Sequence, residues 1–292
     1  MSTANNELLY QCRDASKYIY HYTSAETAIR YILPSGTLKF SQYIKTNDPK
    51  ESKEWQFSTR ILDPSQHSHD KYALKDVSAK MNAGLKHTTN VVCFSRDGDL
   101  TGNHLVDVCR RGFCKPRMWA QYADNHRGVC LVFDREAFDA AVRAALPSPR
   151  VVVRGDVEYT DRPLLSDLRD LTYCVTIDHL ERLGWERYVS HHRAQAYRRL
   201  FFEKNADWAQ ENEYRWVVFD GGGADELINY KDSLRGLMFG ASASEETIRS
   251  TLSLLCNRGL FLQQLEWKGC TPWYKIGRAF EWEFTHPEAM GS

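Results

Sequence analysis

Two carboxylates two residues apart, Glu211 and Glu213, stand at the head of the most apolar strand-like run in the chain, within WAQENEYRWVVF at 208–219. The stretch begins as a polar helical end and turns at Asn212 into Tyr214, Trp216, Val217, Val218 and Phe219. That β-branched and aromatic run predicts a strand entering a core. On an extended backbone, residues two apart project to one face, so Glu211 and Glu213 are expected side by side, with Arg215 continuing that face. Paired carboxylates beside a guanidinium can stabilise positive charge or orient and deprotonate a nucleophile. The same pattern also fits an edge strand with charged outward positions, where Arg215 merely neutralises the glutamates.

The elements that must position such a site are legible in outline. Tyr18 to Tyr22 (YIYHY) is a short β-prone run with His21 at its C-terminal lip. Thr23-Ser24-Ala25-Glu26 follows as a capping-box signature with Thr23 as the cap. Ala25, Ala28, Ile29, Ile32 and Leu33 repeat at helical spacing until Pro34-Ser35-Gly36, and Thr37 to Ser41 (TLKFS) alternates like a second strand. Asn47-Asp48-Pro49 is a turn, and Glu51 to Lys86 reads as a charged, mostly helical passage of low information. Asn90 to Ser95 (NVVCFS) is apolar on both faces, which predicts a central strand. Met118 to Ala123 (MWAQYA) reads as one or two helical turns with Trp119 and Tyr122 on one face. Val129 to Asp134 is a strand and Arg135 to Leu146 a helix, followed by strand character at 150–159. A long helical passage at 164–204 breaks near Gly184. After the carboxylate strand, 234–240 reads as a strand, and a helix from Ser244 runs to about Asn257. The last strands are expected at 260–267 and 274–284.

Composition narrows the function classes. The 292 residues carry 38 Lys plus Arg against 38 Asp plus Glu, so the global field gives no push toward nucleic acid or an anionic membrane. Eight Trp, 15 Tyr and 13 Phe are ample for a core. No apolar run approaches the roughly 18 residues of a membrane span. The polar start MSTANNELLYQ lacks a signal peptide's basic and hydrophobic regions, so a cytoplasmic protein without a membrane partner is expected. The eight cysteines form no CxxC pair and read as buried small hydrophobes. Cys109 and Cys114 with His104 or His126 have poor zinc spacing, and no metal is expected. The aromatic, basic helix at 185–202 could grip a nucleic-acid backbone, although a solvated helical face is the default reading. The whole of 1–292 is expected to be one α+β domain with a helical insertion around 160–205.

Taken in order, His21-Tyr22-Thr23, TLKFS, Asn47-Asp48-Pro49, CFS at 93–95, Trp119-xx-Tyr122-Ala123, Gly128-Val129-Cys130 and Trp208-xx-Glu211-x-Glu213-x-Arg215 resemble a large family of uncharacterised bacterial domains. The resemblance spans roughly 18 to 240. That family in turn resembles the ADP-ribosyltransferase superfamily, in particular its diphtheria-toxin-like and poly-ADP-ribose polymerase branch. There a strand ending in His-Gly-Ser or His-Gly-Thr holds the NAD ribose, where this chain has His21-Tyr22-Thr23. The branch's Asn-Glu-Tyr, whose Glu is catalytic, is matched by Asn212-Glu213-Tyr214. Its third strand, which carries a Tyr stacked on nicotinamide, is matched by NVVCFS. Two departures stand out: Tyr22 replaces the Gly, and Cys93 falls where the stacking Tyr aligns. Phe94, Tyr122 or Tyr22 would then have to supply that ring.

The resemblance implies split mixed β-sheets with surrounding helices, and NAD as substrate. It implies Glu213 and Glu211 as catalytic residues, and NAD contacts from His21, Tyr22, Thr23, Phe94, Ser95, Trp119, Tyr122 and Arg215. Breaking the nicotinamide–ribose bond leaves an oxocarbenium-like ribose, as glycoside cleavage does. A carboxylate beside the ribose favours that charge, and a histidine at a strand end fixes orientation by donating to a ribose hydroxyl. The implied activity is mono-ADP-ribosyl transfer to a protein or nucleic-acid acceptor, with a defence or toxin role in bacteria. NAD glycohydrolysis and a non-catalytic nucleotide- or partner-binding module are the alternatives. His21 and Glu213 are expected on neighbouring strands facing one cleft.

Overall fold

The computed structural model describes residue 9 and residues 12–162, 170–230, 232–255 and 259–275. Within them the chain begins with β1 (Tyr18–Thr23), then short helices α1 (Ala25–Thr27) and α2 (Leu33–Ser35) joined by a π-helical turn at Ala28–Ile32, then β2 (Thr37–Gln42) and α3 (Pro49–Ser52). Next come β3 (Ser58–Arg60), α4 (Leu74–Leu85), β4 (Asn90–Arg96), α5 (His104–Asp107), α6 (Pro116–Tyr122), β5 (Val129–Asp134) and α7 (Arg135–Ala145). The middle of the chain supplies β6 (Val151–Asp156), β7 (Glu158–Tyr159), β8 (Cys174–Thr176), α8 (Ile177–Leu183), α9 (Trp185–Phe201), β9 (Glu203–Lys204) and β10 (Glu213–Phe219). The last elements are β11 (Glu226–Asn229), β12 (Leu234–Phe239), α10 (Glu245–Leu255), β13 (Phe261–Lys268) and β14 (Thr271–Lys275). The architecture is mixed α+β, a large mixed sheet with helices around it.

The doubly apolar β4 is the strand on which this sheet divides. Along one edge it pairs antiparallel with β10, from Glu213 opposite Ser95 to Val218 opposite Asn90. Its other edge is shared between two strands. β1 pairs only with its last residues, Ile19 opposite Arg96 and Tyr20 opposite Ser95, and β2 only with its first, Ser41 opposite Val91 and Gln42 opposite Asn90. Between them, Val92, Cys93 and Phe94 face a gap. Beyond β1 the sheet continues through β5, β12, β13 and β14, and beyond β2 through β11, while β6 pairs with β10. A forked sheet leaves backbone groups of the dividing strand without ladder partners, and such groups must find other partners.

Packing follows the alternation of β4 and β10. Val92 and Phe94 of β4, with Tyr214, Trp216 and Val218 of β10, join a core that includes Phe133 and Phe138. Val91 of β4, with Val217 and Phe219 of β10, pack on the opposite face with Val77 and Met81 of α4 and Leu200 and Phe201 of α9. A third core, containing Tyr20, Tyr22, Trp119, Cys130 and Val132, lies behind β1 and β5.

Several local expectations change. Ser24, not Thr23, caps the first helix, its side chain accepting from the Thr27 amide. The passage 51–86 is helical only at Pro49–Ser52 and Leu74–Leu85, with a short 3₁₀ turn and β3 between. The long passage ending at Lys204 contains β8, α8 and α9, with Gly184 at φ 71° between the helices; residues 163–169 lie outside the described residues. So do 276–284 of the expected final strand and Cys256 to Arg258 at the expected end of α10. Among the described residues no helix is long and apolar enough to cross a membrane.

Candidate functional site

Glu213 opens β10, and its side chain shares a face with Arg215 as two-residue alternation requires. The guanidinium grips the carboxylate twice, Nε to Oε1 at 2.6 Å and Nη2 to Oε2 at 2.8 Å. Such bidentate pairing fixes both position and ionisation. Glu211 reaches the site differently from the sequence expectation. It ends a 3₁₀ turn at Ala206–Glu211, and Asn212 follows in the left-handed conformation at φ 45°, so the two glutamates are not neighbours on one strand face. Lys204 of β9 joins them instead, its Nζ 2.9 Å from Glu211 Oε2 and 2.7 Å from Glu213 Oε2.

Arg215 carries the network onward to Glu51 of α3, Nη1 to Oε1 at 2.5 Å, and to the Phe201 carbonyl at 2.9 Å. Glu51, Lys204, Glu211, Glu213 and Arg215 are each at most 4% exposed. With β10 enclosed between β4 and β6, the outward, solvated charges of an edge strand are not what is found. Burial alone pushes the Glu213 carboxyl up, but the Arg215 guanidinium and Lys204 ammonium outweigh it and hold it well below the usual carboxylate range. Burial likewise works against the Lys204 charge, and Glu213, Glu51 and Glu211 reverse the effect and hold it above the usual lysine range.

A cavity of about 470 Å³ opens where β4 divides, lined among others by His21, Cys93, Tyr122, Lys204, Glu211 and Glu213. Its size suits a small organic ligand or part of a dinucleotide. Tyr122, at the end of α6, is half-buried; its hydroxyl donates to Glu211 Oε1 at 2.7 Å and accepts from Asn47 Nδ2 at 2.8 Å. Burial, reinforced by Glu211, raises the phenol far above its ordinary range, so it stays a donor. Tyr122→Phe is expected to cost about 1–3 kcal/mol, because it strips a partner from a buried carboxylate. Denaturant midpoints check this cost, and a ligand titration of the same variant reports the hydroxyl's part in binding.

The remaining predicted contacts separate into two groups. Tyr22, Phe94 and Ser95 line the cavity but are committed to the frame. The Tyr22 hydroxyl donates to the Gly112 carbonyl at 2.6 Å, Ser95 Oγ donates to the Glu211 carbonyl at 2.7 Å, and Phe94 packs edge-on with Phe133, Phe138 and Trp216. Thr23, Trp119 and Arg215 do not line it. Thr23 is buried in the β1–β5 pairing opposite Val129. Trp119 is a fully buried core residue, its indole donating to the Phe113 carbonyl at 2.7 Å and meeting Tyr22 edge-on. Arg215 lies behind Glu213 and positions it.

His21 requires the largest revision. It is not on a strand neighbouring Glu213, because β4 lies between β1 and β10. Glu213, Ser95 and Tyr20 are in register and share a face, so the next residue, His21, projects to the other, where its ring lies 5.6 Å from that of Phe94. His21 still reaches the cavity because β1 parts from β4 after Tyr20. Its Nδ1 lies 3.1 Å from the Cys93 carbonyl, one of the backbone acceptors that the fork leaves without a strand. A carbonyl can only accept, so Nδ1 carries the hydrogen and Nε2 of the neutral ring is an acceptor, not the donor the resemblance implied. Burial lowers the His21 pKa below 6.5, partly opposed by that carbonyl. A folded-state pKa below the unfolded value means the native state binds fewer protons. Its stability contribution is therefore present above about pH 6.5 and is lost as pH falls through the folded pKa. His126 and His192 are shifted the same way, so the expected result is a stability loss from about pH 7 to 5 that becomes shallower, without vanishing, in His21→Gln. Denaturant unfolding across that range measures it.

Sequence reasoning missed Lys204, which sits in no recognisable motif, and Glu51, which lies in a run of charged residues. Lys39 and Lys45 are exposed at the cavity mouth and share Asp225, at 3.4 and 3.9 Å. Cys93 also lines the cavity, and burial with Glu213 nearby raises its thiol far above its ordinary range. It is a neutral thiol, not a nucleophile. Among the described residues no three His, Cys, Asp or Glu side chains gather as a metal site.

A protein-family model described as "Protein of unknown function (DUF2971)" matches residues 118–216. The match starts in α6 and ends within β10, so it takes in Trp119, Tyr122, Lys204, Glu211, Glu213 and Arg215 but not His21 or Glu51. Its description names no activity. No curated protein and no solved structure matches the chain. Over that central third the chain is similar to a family of unknown function.

Proposed function

We propose that the cavity at the fork binds NAD, and that the chain cleaves the nicotinamide–ribose bond and transfers ADP-ribose to a protein or nucleic-acid acceptor. The observation that carries this reading is Glu213, an ionised carboxylate that opens an interior strand and lines a ligand-sized cavity, as the ADP-ribosyltransferase resemblance of Asn212-Glu213-Tyr214 implies. In the reaction the C–N bond breaks, its electron pair leaves with the nicotinamide nitrogen, and positive charge develops on the ribose. A fixed negative charge beside it stabilises that state. The acceptor then adds to the ribose carbon, with Glu211 orienting it and accepting its proton. Of the rings weighed for stacking, Tyr122 fits best, since Tyr22 and Phe94 are at most 6% exposed and packed into cores. His21 Nε2 would accept from a ribose hydroxyl.

Incubating the protein with NAD and following nicotinamide release, with and without cell extract, tests this. Release only with extract supports transfer, and release without it supports hydrolysis. A binding module without turnover is the second reading, favoured by the Cys93 and Tyr22 departures and by the engagement of both Glu213 oxygens by Arg215 and Lys204. His21 and Glu213 project to opposite faces of the sheet, which also counts against the enzyme reading. NAD binding without any release would establish that reading instead.

A further inference from the structure

The buried network is not electrically balanced. Three carboxylates, Glu51, Glu211 and Glu213, face two cations, Lys204 and Arg215. Neither neighbouring ammonium pairs with the third carboxylate: Lys50 is spent on Glu203 and on the Arg199 and Glu203 carbonyls, and the buried Lys86 donates to the Lys53 carbonyl and lies over the Trp55 ring. Among the described residues, two buried carboxylate oxygens of this neighbourhood have no partner, Asp48 Oδ2 and Glu51 Oε2, and of the two residues only Glu51 lines the cavity. Glu51 Oε1 accepts from Arg215, but Oε2 has no partner, although the residue is 1% exposed and lines the cavity. A buried carboxylate oxygen without a donor is costly, and native structures rarely keep one without a purpose. The mouth has the opposite character, with Lys39 and Lys45 exposed beside it and only the single carboxylate of Asp225 between them. The cavity is therefore bipolar: cationic at its opening, and carrying an excess carboxylate at its floor.

Resting on the NAD reading, we propose that Glu51 recognises the positive charge of the oxidised nicotinamide ring, so that the cavity selects the oxidised dinucleotide over neutral-ring forms. The pyrophosphate then meets the lysines at the mouth, and the ring lies toward the floor. Glu51 serves selection of the bound dinucleotide and not acceleration of the chemical step. Departure of nicotinamide neutralises the ring, so an attraction to the ring charge holds the bound ground state and gives nothing to the transition state.

The test is to titrate NAD, NADH and the neutral benzamide analogue of NAD into wild type and Glu51→Gln, with unliganded melting as the control for folding. Wild type is expected to bind NAD at least about tenfold more tightly than either neutral-ring ligand. Glu51→Gln should reduce that preference to about twofold through lost NAD affinity. In turnover, the same variant should raise KM without lowering kcat, a split that a merely structural role would not produce. Equal wild-type affinity for all three ligands overturns the role of Glu51 while leaving NAD binding intact, as does an undiminished preference in the variant. Absence of binding by any dinucleotide overturns both this inference and the NAD reading. If Glu51→Gln does not fold, the wild-type comparison of NAD with its benzamide analogue decides alone: a tenfold preference supports the charge recognition, and none overturns it.

Discussion

Glu213→Gln is expected to slow nicotinamide release at least about a hundredfold while leaving NAD affinity within about tenfold of wild type. The amide keeps the shape and one acceptor oxygen but removes the charge that would stabilise the ribose cation. Arg215 Nη2 and Lys204 Nζ both donate to Glu213 Oε2, at 2.8 and 2.7 Å, so an amide nitrogen there would face two donors. A stability loss of about 3 kcal/mol accompanies the change, and rates must be compared on folded protein. The loss is moderated because Glu51 and Glu211 still balance the two cations. Wild-type release by folded Glu213→Gln would remove the carboxylate from the mechanism and leave it as the partner of Arg215. The same pairing sets an acid limit. Glu213 has a folded pKa below its usual value, so its stabilising contribution is complete above about pH 4.5 and is lost only as pH falls toward that depressed folded value.

The central strands were legible because their side chains state their surroundings. NVVCFS is apolar at every inner position and is the dividing strand, and the alternation of Glu213, Arg215, Val217 and Phe219 against Tyr214, Trp216 and Val218 matches the two cores on either side of β10. The fork was not legible from β4 itself, because which end of that strand pairs with β1 and which with β2 depends on tertiary geometry. That geometry places His21 on the opposite face from Glu213 and turns it from donor to acceptor. Trp119 and Tyr122 illustrate a second limit. Three residues apart on a helix, both aromatics look alike in sequence, yet one is sealed in a core and the other reaches Glu211. Glu51 lay in a charged passage of low information, and only the contact with Arg215, from 164 residues away in sequence, marks it as interior. Glu211 reached its expected partner by an unexpected path, since a left-handed Asn212 and the ammonium of Lys204 do what strand alternation was expected to do.

Arg215→Met should be the more destabilising change, by about 3–5 kcal/mol, because it leaves three buried carboxylates with one cation. Methionine fills the guanidinium's space with apolar atoms and returns none of its three interactions, with Glu213, Glu51 and the Phe201 carbonyl. The penalty comes chiefly from the uncompensated carboxylates that stay behind, and only secondarily from the missing hydrogen bonds. Adding Glu213→Gln should therefore recover part of the stability, although Glu213→Gln alone destabilises. A coupling of about 0.5–3 kcal/mol is the expected size for groups in direct contact. Urea midpoints for wild type, the two single variants and the double variant provide the complete cycle. If the two losses simply add, the carboxylate and guanidinium do not act as one buried unit. If Arg215→Met costs less than about 1 kcal/mol, water reaches the network, and the floor of the cavity is not the low-dielectric site that a fixed charge on Glu213 requires.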